Sequence, residues 1–206
     1  MPLRDGGPVG APELAIARAI LRTNPRLIQT DALLFAILTT RAANANVLPP
    51  EFLAATLLQE SAYDPQALSV AGAIGIAQFM PETARDMGVD PYDPIASIAA
   101  AGTLIGAYVA QYRSLYADPY STALAAYNAG PLAVERYRGV PPYAETRQYV
   151  ALIFDRWARI VSYEEAAGDP GAAWKRHGNE EVSHRLVHET RARPAASPWA
   201  GGLRRE

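Results

Sequence analysis

The stretch Pro49-Pro50-Glu51-Phe52-Leu53-Ala54-Ala55-Thr56-Leu57-Leu58-Gln59-Glu60-Ser61 decides how this chain is read. Proline suits the first turn of a helix, where its missing N–H would have no partner anyway, so the segment predicts a proline-opened helix. Leu53, Leu57 and Glu60 stand at i, i+4 and i+7, which puts a carboxylate on the stripe that its apolar neighbours turn inward. A charge in that position is expensive. Two readings of the residue are open. Glu60 is either half-exposed near the helix end and paired with an arginine, or held partly protonated by a raised pKa, as in a general acid at neutral pH.

Outward from this helix, Tyr63-Asp64-Pro65 predicts its end, because proline disfavours helical geometry in the residue before it. Ser69-Val70-Ala71-Gly72-Ala73-Ile74-Gly75-Ile76-Ala77-Gln78 then alternates small and aliphatic residues, as expected of a cleft wall that lets the backbone approach something bulky. Proline marks the helix starts elsewhere. Pro12 opens Glu13 to Arg22, Pro25 opens a segment running to about Arg41, and both read as packing elements. Pro81 to Met87 is a short helix stopped by Gly88, and Asp90-Pro91-Tyr92-Asp93-Pro94 leads into an alanine-rich helix ending near Tyr112. Pro119 opens a helix that ends in Ala125-Ala126-Tyr127-Asn128-Ala129-Gly130, with a glycine in the usual stop position and a phenol and an amide at its tip. Leu132 to Tyr137 is a further turn of helix. From Ala144 to about Ala166 a last helix carries Tyr149, Val150, Ile153, Phe154, Trp157 and Ile160 at core spacing. No stretch alternates with period two, so the class is all-α.

The 206 residues, half of them hydrophobic, suffice for one good core and hardly two, so one domain with appendages is expected. A net charge of −2 argues against a nucleic-acid partner and offers no attraction to anionic membranes. Cysteine is absent, which excludes disulfides and thiolate sites. His184 and His188 have a spacing that can hold a metal on a helix, with Glu180, Glu189 and His177 nearby, but no His-Glu-x-x-His pattern is present. Neither metal nor cofactor is expected. Met1 to Pro8 has no basic start and apolar run, so no signal peptide is visible. Leu33 to Leu38 is too short for a membrane span, and Ile95 to Ala110 is long but dominated by small residues, so no span is expected. Gly102 and Gly106 in that run read as a site of tight helix packing. Past Gly168 apolar anchors are few, and the composition predicts a flexible tail in which Trp174 and Trp199 serve either as docking points on a partner or as anchors that fold back on the parent domain. The expected division is an N-terminal helical extension over 1–45, a catalytic domain over 46–167 and the tail over 168–206.

Taken together, the blocks resemble the lytic transglycosylases of the soluble type, whose family-1 catalytic domain has a goose-lysozyme-like fold. Glu60-Ser61 matches the catalytic glutamate and its following serine, and Gly75-Ile76-Ala77-Gln78 resembles the Gly-Leu-Met-Gln block. Ala126-Tyr127-Asn128 matches the Ala-Tyr-Asn block, and Glu145-Thr146-Arg147-Gln148-Tyr149-Val150 resembles the last one. The match covers roughly residues 46–160. At Ala77 this chain departs from the family methionine, which removes bulk expected to line the sugar cleft.

The resemblance implies a single catalytic carboxyl, whereas ordinary glycosidases use two. Glu60 is implied as general acid and then base on the bond between N-acetylmuramic acid and N-acetylglucosamine in peptidoglycan glycan strands, with a 1,6-anhydro product. Ser61, Ser69, Gln78, Tyr127, Asn128, Glu145 and Tyr149 are the expected substrate-binding residues, with Glu145 set either against the saccharide or against Arg147. Asp64 is better explained by turn chemistry than by catalysis. The alternatives are a hydrolytic goose-type muramidase and an inactive structural or wall-binding subunit. Action at the cell wall or periplasm is expected, in a larger assembly such as a phage particle or a secretion or flagellar apparatus, with protein partners met through the flanking segments.

Overall fold

The structure, a computed structural model, describes residues 9–166, and every regular element among them is helical. The order is α1 (Ala11–Thr23), α2 (Gln29–Ala45), α3 (Pro50–Ser61), α4 (Pro81–Met87), α5 (Pro94–Tyr112), α6 (Pro119–Ala129), α7 (Pro131–Tyr137) and α8 (Ala144–Ala166). The all-α class expected from the missing period-two pattern is what the chain adopts. Proline occupies one of the first two positions of α1 and of each helix from α3 to α7. Where an N–H still needs a partner a carboxylate supplies it. Asp93 accepts from Ile95 and Ala96 at 2.8 and 3.2 Å, and Asp118 accepts from Ser121 at 3.0 Å.

One helix start departs from the proline rule. Pro25 does not open α2, which begins four residues later at Gln29. Asn24 is the reason: its backbone N–H closes α1 on Ile20, its Oδ1 accepts from Arg26 at 3.2 Å, and its Nδ2 donates to the Ala62 carbonyl at 3.1 Å. These local bonds hold the segment as a turn in competition with helix.

The hub is α3. It packs against α1, α2 and α8, and Phe52, Leu53, Ala54, Ala55 and Leu57 have no exposed surface. This is more than a stripe: every residue from Glu51 to Leu58 is buried, and only Pro50 and the last turn emerge. Phe52 meets Tyr120 and Trp157 edge-on, at 5.0 and 5.1 Å between ring centroids, which brings α6 and α8 onto the same helix. α1 and α2 contribute Leu14, Ile16, Ile20, Leu33 and Phe35 to this core, so the segment read as an extension is packed into it.

α5 is the one helix among the described residues long and apolar enough to cross a membrane by length and composition. In the fold it lies against α2 and α6. A Cβ at Gly102 would stand 3.1 Å from the Ala42 carbonyl oxygen and one at Gly106 2.7 Å from Asn46 Cβ, so both glycines let α5 approach α2 as their spacing suggested. Trp174, Trp199 and the three histidines lie outside the described residues.

Candidate active site

Glu60 sits where the buried helix comes out. The residue is half-buried, and its partner is a tyrosine rather than an arginine: the Tyr149 hydroxyl donates to Glu60 Oε1 at 2.5 Å, from α8 to α3. Burial pushes the carboxyl up to about 7, and the Tyr149 hydrogen bond, which favours the charged form, opposes this without overcoming it. The residue keeps some exposed surface, while its carboxyl is desolvated by the fold around it. The C-terminal end of α3 adds a dipole that disfavours negative charge. Tyr149 itself is buried, and burial first, then the Glu60 charge, hold its phenol well above the ordinary range, so it stays protonated as a donor. The same causes, in the same order, act on Tyr127, which places that ring within the field of Glu60.

α3 stops four residues before Pro65. Ala62 and Tyr63 both take left-handed backbone, at φ 54° and 60°, which is unusual for residues with side chains. Tyr63 is locked in place by full burial, a 2.8 Å hydrogen bond to Thr39 and stacking on Phe35 at 6.0 Å, which hold the turn against its strain. Asp64 Oδ1 accepts from the Gln66 N–H at 2.9 Å, the turn role expected of it.

The following loop reaches Pro81 without a strand, folded on itself by paired bonds between Ile74 and Phe79 at 3.0 and 3.1 Å. Side chains of the expected site hold it from both sides. Ser61 donates to the Ile76 carbonyl at 2.8 Å and Tyr127 to the Ala77 carbonyl at 2.7 Å. Gln78 sits at φ 50° and its Nε2 donates to the Gly75 and Ala67 carbonyls at 2.9 and 3.3 Å, while Ser69 Oγ accepts from the Ala73 N–H at 2.9 Å. Gly75, at φ 73°, passes so close to Pro91 that a Cβ would lie 2.0 Å from its carbonyl oxygen. Ala77 is fully buried, so the position expected to line the cleft contributes its backbone carbonyl instead.

Asn128 is exposed at the tip of α6, just before Gly130, whose φ of 86° and ψ of 150° suit glycine alone. Its Oδ1 accepts from Thr146 Oγ1 at 2.8 Å, linking α6 to the first turn of α8. Sequence reading passed over Thr146 although it lies in a matched block, since a threonine there carries no signal until the helices are docked. Glu145 and Arg147 are both exposed and form no ion pair with each other. Gln59 was also missed: it accepts from Arg156 Nε at 3.1 Å, a second tie between α3 and α8 beside Glu60. Arg156 borders a cavity of about 370 Å³ between α1, α3 and α8 that contains none of the expected site residues. Among the described residues no group of three His, Asp or Glu side chains is placed to hold a metal ion.

The chain is 34% identical over 137 residues to the membrane-bound lytic murein transglycosylase F of Alcanivorax borkumensis, covering 61% of this chain and 29% of that protein. It is 35% identical over 94 residues to the transglycosylase of Enterobacteria phage PRD1, covering 45% of this chain and 34% of that protein. It therefore spans about a third or less of the length of these relatives. The 70 kDa soluble lytic transglycosylase SLT70 of Escherichia coli shares the fold, with a TM-score of 0.55, 23% identity and coverage of 78% of this chain and 30% of that one. The Transglycosylase SLT domain family model matches residues 37–150, more than half of the chain, and takes in every block from Glu60 to Tyr149. The chain belongs to the transglycosylase SLT domain family.

Proposed function

We propose that this chain is a peptidoglycan lytic transglycosylase in which Glu60 is the only catalytic carboxyl. The observation that supports this best is the Glu60 carboxyl itself, raised to about 7 by burial and met by the Tyr149 hydroxyl. A carboxyl in that range is protonated for a large part of the time at neutral pH and returns to carboxylate without a large driving force, which suits a group that must act in both states. Glu60 gives its proton to the glycosidic oxygen as the bond between N-acetylmuramic acid and N-acetylglucosamine breaks. The resulting carboxylate takes the proton of the muramoyl C6 hydroxyl as that oxygen closes onto C1. The proton balance returns to its start, no water is consumed, and the muramoyl N-acetyl group assists at the oxocarbenium-like centre, so geometry replaces a second acid.

Asn128, Glu145 and the exposed edge of Tyr127 are left to meet the glycan. Ser61, Ser69 and Gln78 act on it through the loop they hold. The similarity to a phage transglycosylase supports local wall opening as part of a larger assembly, with the flanking segments as attachments and the cell wall or periplasm as the place of action. The test is digestion of isolated sacculi with mass analysis of the products. The 1,6-anhydro form is expected; a reducing muramic acid, heavier by one water, would instead mean a hydrolytic muramidase, and intact sacculi would mean a wall-binding subunit.

A further inference from the structure

Of the six buried serine and threonine hydroxyls among the described residues, three bond to backbone carbonyls and Thr39 bonds to the buried Tyr63 hydroxyl. Thr56 and Thr122 each donate to the carbonyl one turn earlier, at 3.0 and 2.7 Å, and Ser97 donates to Pro91 at 3.2 Å. Thr146 does otherwise. It is 2% exposed, in the first turn of α8, and its hydroxyl donates at 2.8 Å to the side chain of Asn128, an exposed residue on another helix. Valine would fill the same space without an oxygen to satisfy, and a bond to a surface amide adds little to folding. What the bond does hold is the carboxamide, with Oδ1 taken by the hydroxyl and Nδ2 left on the side away from Thr146. Tyr149, three residues on, lies on the same face of α8 and holds Glu60. One turn of α8 thus carries both the partner of the proposed acid and the partner of the amide.

We propose that Thr146 is a positioning residue that acts through Asn128, so that the cleft presents a pair of N–H donors and selects an acceptor oxygen on the glycan, an acyl carbonyl such as that of an N-acetyl group. This rests on the transglycosylase reading of the site. The test uses E60Q as parent, which leaves the glycan whole, and calorimetry with a tetrasaccharide of alternating N-acetylglucosamine and N-acetylmuramic acid. Loss of one oriented hydrogen bond predicts that T146V weakens binding roughly three- to tenfold, while T146S stays within about twofold of the parent. In an N128A background T146V should have no further effect, since the two residues act as one unit. The Asn128 side-chain amide resonances of ¹⁵N-labelled parent should move on titration with the tetrasaccharide and remain still in T146V. Binding unchanged by T146V, or a loss that adds to that of N128A, overturns the role of Thr146 and leaves the functional reading intact. Failure of the E60Q parent to bind, with no anhydro product from the wild type, overturns both.

Discussion

At the scale of single residues, Glu60 is distinguished by how it titrates. E60Q keeps the shape of the side chain and its acceptor for Tyr149 but has no proton to release, so lytic turnover should fall by about 10²–10⁴-fold while the fold is retained. Retention of more than about a tenth of the activity would rule out the assignment. The same substitution reports on stability. The carboxyl ionises near 4.5 in the open chain and near 7 in the fold. Between these values the native state holds more protons than the unfolded one, so the wild type loses stability as pH rises from about 4.5 to about 7 and levels off above. Glutamine escapes that loss. After allowance for the partial exposure of the residue, E60Q should be more stable than the wild type by on the order of 2 kcal/mol at pH 8 and little different at pH 4, as read by urea denaturation at the two values. Sacculus digestion should fall on the alkaline side as the Glu60 proton is lost, and Tyr149→Phe, which removes the one influence that lowers this pKa, should move that fall to higher pH; movement to lower pH would mean that the hydrogen bond favours the protonated carboxyl. A raised pKa was legible from the sequence, because a carboxylate beside Leu53 and Leu57 has few ways to stay charged. The tyrosine that meets it lies 89 residues away and entered only through a resemblance.

At the scale of elements, the loop between α3 and α4 converts helix positions into a cleft wall. Two glycines in it separate conformational strain from close approach. Gly72, at φ 91°, has nothing within 4 Å of a built Cβ, so G72A should cost about 1–2 kcal/mol for left-handed backbone alone. Gly75 carries the same strain and also meets the Pro91 carbonyl. G75A should therefore cost about 4 kcal/mol and lower activity out of proportion, because Ile76 and Ala77 lose the register that Ser61 and Tyr127 hold. Equal melting temperatures for the two variants would show that the approach to Pro91 does not constrain the loop. Helix starts at proline were legible in α1 and from α3 to α6, since φ near −65° and a missing N–H are local properties, whereas Pro131 at the start of α7 was passed over. The end of α3 was not. Ala62 and Tyr63 are poor residues for left-handed backbone in isolation, and only the pocket formed by Thr39 and Phe35 compels it.

At the scale of the whole molecule, one buried helix organises the elements around Glu60. We propose the division at residue 167 as the end of the catalytic unit. A chain ending at Ala167 should then melt within about 2 °C of the full chain, no more than the shift that about 1 kcal/mol produces in a domain of this size, and should digest sacculi equally well. Under the proposed assembly role it should also fail to co-purify with a particle that retains the full chain. Unfolding of the shortened chain would make 168–206 part of the core. The N-terminal side behaves differently, because Leu14, Ile16 and Ile20 of α1 are buried against the helices that follow.

The helical class, most of the proline-led starts, the close approach at Gly102 and Gly106 and the four blocks in order, Glu60 in the first, could be read from the chain alone. Each depends on local geometry or on residue identity. The tertiary structure alone decided which polar groups meet. It gave Ser61, Ser69 and Gln78 to the loop, Tyr127 to the Ala77 carbonyl, Gln59 to Arg156 and Thr146 to Asn128. A hydroxyl or amide bonds whatever lies within about 3 Å, and that distance is set by how whole helices dock on their apolar faces, not by the residue that carries the group.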